Sequence, residues 1–269
     1  MADSIQDLKH KASLGHQILA MTGSMGPITG HVFVRPPGGG DQFLARCRHE
    51  GDYSPTWTGD EAMHLINYDG SPGEDLGDWT PPPERNIAMP IFKARPDVNC
   101  VIHAHPYFQL LCGITNVPLK PILGPAFNAE GLKAAMRGIP VFPRSALIAS
   151  VELGRAVYAT MGNNDALILK GHGNVITGKS VEDAVLRAIA IEHQAFGCWQ
   201  MAMARIDPEN VSAADIEEWI SPAQAGAAES NQMNANAVRP EGWNGTWDYY
   251  VRILESGSKI PGEVLARLR

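Results

Sequence analysis

Three histidines and one glutamate have the residue types from which a metal site with an acid/base group is built. His103 and His105 form a His-x-His pair in Val101-Ile102-His103-Ala104-His105. Side chains of an extended segment return to one face every second residue, so both imidazoles leave the same face and are spaced to chelate. The pair could equally pack as hydrogen-bonded histidines on a polar strand face. His172 lies between Gly171 and Gly173, just after the apolar run 166–169. A tight turn there projects a side chain from a strand end, and the glycines let backbone approach a neighbouring site closely. Three neutral imidazoles would leave coordination positions open, as in a catalytic rather than a structural site. Glu84 follows Pro81-Pro82-Pro83, a stiff approach that can aim a carboxylate into a cleft with little entropy left to lose. It also fits the acid expected in the first turn of any helix.

The elements that must position these residues follow from apolar periodicity. Helical spacing covers Ile5, Leu8, Ala12, Leu14, Ile18 and Leu19, and a loop over 22–30 leads to a strand at 31–35. Residues 36–83, rich in Gly, Pro and Asp, give only weak strand signals. A helix is predicted over 85–95 with Pro90 in its first turn or at a kink, then a strand over 97–105 and a helix from Tyr107 to Ile114. Strands at 139–142 and 166–169 flank a helix at 153–161, and the turn around His172 enters a strand at 174–177. Ser180 and Asp183 form a capping arrangement ahead of a long periodic helix over 180–204. Strands and helices alternate, so the class is α/β. Residues 1–220 are expected to form one catalytic domain and 221–269 a linker plus an aromatic-rich segment. In that segment, 221–240 suit a mobile connection, while Trp243, Trp247, Tyr249 and Tyr250 suit an anchor, packed on the core or closing over a neighbouring subunit's site.

Composition narrows the partners. The chain has 269 residues, 44% of them hydrophobic, enough to bury a sizeable core. Its net charge is -7 and its 22 Lys and Arg never gather into a basic run. A phosphate backbone or an anionic membrane would find little to hold, so neither nucleic acid nor membrane is an expected partner. No signal-like apolar stretch opens the sequence and no long apolar run follows, which fits a cytoplasmic enzyme. Cys47, Cys100, Cys112 and Cys198 are scattered without a CxxC pair and are expected to be reduced core thiols.

Taken together, Glu84-Arg85, Ala94-Arg95-Pro96-Asp97-Val98, His103-Ala104-His105 and Lys170-Gly171-His172-Gly173 resemble, in order and spacing, the class II aldolase/adducin family. The resemblance runs from about Ile5 to Ala204. It implies a three-layer α/β/α domain around a mostly antiparallel sheet, usually a homotetramer with sites near subunit interfaces. It also implies one divalent ion per subunit on His103, His105 and His172, with Glu84 as acid/base. Adducin-like members are interaction modules lacking the ligands, whereas all three are present here. Zinc suits three imidazoles best, and manganese, iron and cobalt also accept them; iron with oxygen would make an oxygenase.

The sugar-phosphate aldolases of this family carry serines before the catalytic Glu and a Gly-Asn in the first loop, where this chain has Pro82-Pro83 and Gly30-His31. Each lost charge-assisted hydrogen bond is worth about 1.5–3 kcal/mol, which disfavours a phosphorylated substrate. Gly30, His31 and Arg35, the Glu84-Arg85 pair and the stretch 137–144 look more like the branch that decarboxylates hydroxylated aromatic or pyridine carboxylates. His31, Arg35, Arg85 and Arg144 are therefore candidate substrate-binding residues, the arginines by a bidentate fork on a carboxylate. Retro-aldol cleavage of a non-phosphorylated hydroxy-carbonyl small molecule needs the same ligands and remains the alternative.

Overall fold

The expected first helix forms as α1 (Ile5–Met21), opened by a reciprocal cap in which the Ser4 hydroxyl accepts the Asp7 N–H and the Asp7 carboxylate accepts the Ser4 N–H. The long helix is α6 (Val181–Met203), and the Ser180 hydroxyl accepts the Asp183 N–H as its spacing predicts. The computed structural model describes residues 3–52, 54–124, 129–220 and 245–257. The proposed connection at 221–240 and Trp243 lie outside them.

Among the described residues seven strands make one sheet: β1 (His31–Val34), β2 (Gln42–Arg46), β3 (Met63–Asn67), β4 (Cys100–Ala104), β5 (Val141–Phe142), β6 (Ala166–Leu169) and β7 (Gly173–Gly178). Their order is β3-β2-β1-β4-β7-β6-β5, and every pairing is antiparallel except β5 with β6. The central strands β1, β4, β6 and β7 are buried along their whole lengths, because helices cover both faces. On one face α1, α6 and α4 (Ala129–Arg137) pack on Val32, Ile102 and Ile176. On the other, α2 (Ala88–Ala94) and α5 (Val151–Met161) cover Phe33, Val101, Leu167 and Val175. The three-layer α/β/α fold with a mostly antiparallel sheet is thus observed. Helix α3 (Tyr107–Thr115) packs through Phe108 and Cys112 on Ala195 of α6. Helix α7 (Ala213–Ile220) follows α6 in the chain, and α8 (Gly245–Ser256) buries Trp247 and Tyr250 in the α1/α6 cluster. Tyr249 stays exposed.

Local reading and tertiary outcome differ in places. Helix α4 is unanticipated, since Gly131 interrupts its short helical pattern. The helix predicted over 85–95 is split into a 3-10 turn at Pro83–Asn86 and α2, with Pro90 inside the first turn of α2 where no N–H is needed. Strand β4 starts at Cys100, three residues later than expected, because the Val98 N–H closes a turn on the Arg95 carbonyl. Segment 36–83 holds β2, β3 and 3-10 turns at Pro55–Trp57 and Asp60–Ala62. All four cysteines are free and buried. No described helix is long and apolar enough to cross a membrane.

Candidate metal centre

His103 sits near the end of β4, fully buried, and its partner in β1 is His31. His105 lies one residue past the strand, so the two-residue repeat carries both rings to one side, with ring centres 4.7 Å apart. His172 enters from the turn between β6 and β7. Gly171 adopts a φ of +65° there, which a residue with a Cβ disfavours. The His172 ring centre is then 4.9 Å from that of His103 and 5.4 Å from that of His105. The stiff triple proline delivers Glu84 from the 3-10 turn: its Oε2 is 3.2 Å from His103 Nε2 and its Oε1 is 3.3 Å from His172 Nε2. One donor atom from each of the four residues lies within 4.8 Å of the others.

The donor set fits a divalent cation. The Nδ1–H of His103 donates to the Asn174 carbonyl at 2.8 Å. A carbonyl only accepts, so this bond fixes the tautomer and leaves the Nε2 lone pair facing Glu84. That nitrogen is buried and makes no aligned hydrogen bond. His105 Nδ1 is 3.0 Å from the Thr29 hydroxyl, which can take its proton and leave Nε2 for the site. Burial, reinforced by His103 and His172, depresses the His105 pKa to about 3, and burial with His103 also lowers that of His172. Both are neutral at pH 7, as a metal ligand must be. Burial pushes the Glu84 carboxyl up, but the contact with His103 and the charges that His103, His172 and His31 carry when protonated outweigh it and bring the pKa down to about 2. The result is a buried carboxylate among three imidazoles. It accepts one backbone N–H, from Ile148 at 3.3 Å.

Several supporting groups carry no motif of their own. Asn174 holds His103 by its main chain, while its Oδ1 accepts the Ala104 N–H at 3.1 Å and its Nδ2 donates to Gln109 Oε1 at 2.9 Å. The only local signal was its position directly after Gly-His-Gly. Glu192 of α6 accepts the N–H groups of Phe108 and Gln109 at 2.9 and 3.1 Å. It caps α3, for which Pro106 offers no side chain. A cavity of about 520 Å³ borders His105 and is lined by Met25, Gly26, Tyr107, Phe108 and Glu192, among others.

The candidate substrate residues separate. His31 lies beside the cluster, stacked on Phe33 at 5.5 Å, and burial holds its pKa well below the usual value. Arg35 is at the opposite end of β1, where the backbone pairs with Asn99 instead of the His103 end. Its guanidinium donates to the carbonyls of Val98, Phe92 and Arg95 and to the Tyr68 hydroxyl, at 2.8 to 3.0 Å. The structure therefore gives Arg35 a bracing position and does not bring it to the cluster. Arg85 turns away from Glu84 to the carbonyls of Gly70 and Pro82. Arg144 is exposed, next to Ser145, whose hydroxyl donates to the Gly171 carbonyl.

Comparison with known proteins agrees with this arrangement. Residues 15–196 match the model of the Class II Aldolase and Adducin N-terminal domain. The chain is 32% identical over 202 residues to a 3,4-dihydroxyphthalate decarboxylase of Terrabacter sp., covering 74% of this chain and 83% of the relative. It is 29% identical over 147 residues to a 5-methylthioribulose-1-phosphate/5-deoxyribulose-1-phosphate aldolase of Rhodospirillum rubrum, covering 55% and 63%. The crystal structure of an aldolase II superfamily protein from Pseudomonas syringae has the same fold, with a TM-score of 0.70 at 18% identity over 96% of each chain. By this match and this kinship, the chain belongs to the Class II Aldolase and Adducin N-terminal domain family, as one of its metal-dependent lyases.

Proposed function

We propose that this lyase decarboxylates a hydroxylated aromatic or heteroaromatic carboxylate, with His103, His105 and His172 holding one divalent ion and Glu84 moving the proton. The convergence of the four donor atoms within 4.8 Å carries this reading, and the kinship to dihydroxyphthalate decarboxylases directs it to aromatic acids. Three imidazole nitrogens suit zinc, with manganese, iron or cobalt as the competing ions. An ion held there would supply Lewis acidity to the substrate's oxygens. His103 and His105 keep their rings oriented through Asn174 and Thr29. Glu84 carries the proton to the ring carbon from which carbon dioxide departs, a task for which its position between two ligands and its single backbone bond leave it an open lone pair. His31, buried beside His103, borders the substrate. Arg144, exposed and next to Ser145, whose hydroxyl holds the turn that carries His172, is the arginine we assign to a substrate carboxylate from this side.

Exposed Trp57, Tyr107, Ile28 and Leu147 supply apolar surface for association, and we take the enzyme to be a homotetramer with its sites near the interfaces. Four free buried thiols fit the cytoplasm. We take residues 1–220 as the catalytic domain, with α8 as an anchor packed in the α1/α6 cluster.

The test is metal-replete protein with 3,4-dihydroxyphthalate. Stoichiometric metal and release of carbon dioxide are expected, with both lost in His103→Ala. An aldehyde released from a non-phosphorylated hydroxy-carbonyl compound, without any carbon dioxide from hydroxyaryl acids, would instead establish aldolase chemistry.

A further inference from the structure

An aromatic substrate with two carboxylates needs a cation for the one it keeps, and Arg35 and Arg85 are committed to main-chain carbonyls. Arg48 is placed differently. Its backbone pairs with Thr80 in both directions, at 2.9 and 2.7 Å, which fixes it against the segment running through the three prolines into Glu84. Its Nη2 donates to the Ile28 carbonyl at 2.6 Å. That carbonyl belongs to the loop in which Thr29 holds His105 and which ends at His31. Arg48 therefore joins the segment that leads into Glu84 to the loop that steadies His105 and leads into His31. Half-buried, it pairs with no carboxylate among the described residues, and its Nε, its Nη1 and the second N–H of its Nη2 make no hydrogen bond there, which leaves one two-pronged edge free. His31 pairs across the strands with His103 and lies within electrostatic reach of Glu84 and Arg48, and its buried Nδ1 has no hydrogen-bond partner.

We propose that Arg48 is a specificity-determining residue: the free edge of its guanidinium binds a second carboxylate, one the substrate retains when carbon dioxide leaves. The assignment rests on the decarboxylase reading of the site. A guanidinium presents two parallel N–H groups to a carboxylate, a geometry lysine cannot reproduce. In the reaction the bond from the ring to the departing carboxylate breaks, its electron pair stays with the ring carbon, that carbon takes a proton, and carbon dioxide leaves. The retained carboxylate changes neither charge nor bonding. Its cation therefore contributes equally before and during the chemical step, and losing it raises KM far more than it lowers kcat.

The experiment compares wild type with Arg48→Met and Arg48→Lys on 3,4-dihydroxyphthalate and on 2,3-dihydroxybenzoate, which lacks the second carboxylate. Calorimetric titration with phthalate, which cannot turn over, is run alongside. For Arg48→Met we expect kcat/KM on the diacid to fall about 100-fold, mostly through KM, and to fall less than tenfold on the monoacid. Phthalate should bind at least about tenfold more weakly at unchanged metal content. Arg48→Lys, which keeps the charge and loses the fork, should fall between, and it serves if the methionine variant does not fold. Equal losses on both acids, unchanged phthalate affinity, or no phthalate binding by wild type would overturn the assignment. If wild type releases carbon dioxide from neither acid, the decarboxylase reading fails, while the phthalate titration still decides whether Arg48 binds a carboxylate.

Discussion

Replacing Gly173 with alanine should weaken metal binding through a single steric contact. A Cβ at this position would lie 2.2 Å from the Ala104 carbonyl oxygen, 3.0 Å from His105 Cδ2 and 3.2 Å from His103 Cε1. Real Cβ atoms do not approach closer than about 3.0 Å, so β7 and β4 must part locally by about 0.8 Å, the difference between 2.2 and 3.0. The next pair along is Ala104 with Asn174, whose carbonyl holds His103 at 2.8 Å. Opened by the same amount, that bond stretches to about 3.6 Å, beyond hydrogen-bonding distance. Metal sites tolerate ligand displacements of only about 0.2 Å, and losing an orienting partner typically costs 10- to 100-fold in affinity. We therefore expect Gly173→Ala to bind zinc and manganese 10- to 100-fold more weakly in a chelator competition, and to lose about 1–3 kcal/mol of stability in urea without metal. Affinity within twofold of wild type would refute the reasoning. So would a stability loss of that size with the metal constant intact, because the strand rung would then not be coupled to His103.

Glu84→Gln keeps the shape of the side chain and removes its charge and its proton, so it should retain stoichiometric metal while carbon dioxide release falls by about 10²–10⁴; activity within tenfold of wild type would exclude the acid/base role. His16 is fully buried, its Nδ1 bonded to the Ala12 carbonyl and its Nε2 accepting the Val32 N–H, and burial together with the Arg46 charge lowers its pKa from 6.5 to about 3. Between those values the unfolded chain binds a proton that the native state refuses, so stability present above pH 6.5 is lost as pH falls, at about 1.4 kcal/mol per pH unit and on the order of 5 kcal/mol in all. Urea unfolding of His16→Gln between pH 7 and 5 should show a slope shallower by about that 1.4 kcal/mol per unit, and identical slopes would remove His16 as the cause.

The sequence by itself determined what was local. The two-residue repeat of a strand put His103 and His105 on one side, capping residues marked α1 and α6, and the glycines around His172 indicated a turn that meets other backbone closely. Ligand chemistry is a matter of residue type, and residue type is what a sequence states. Only the tertiary structure decided which side chains meet across 64 to 71 positions, as Ile148 does with Glu84 and Asn174 with His103. It also sorted the arginines. A guanidinium goes to whichever acceptors surround it, and those of Arg35 come from Val98, Phe92 and Arg95, about 60 residues away in the chain, whereas Arg48 goes to the Ile28 carbonyl, in the loop before His31, and pairs its backbone with Thr80. Long flexible cations are therefore poorly legible in a sequence, while a His-x-His pair on a strand, whose geometry the backbone alone imposes, can be read directly.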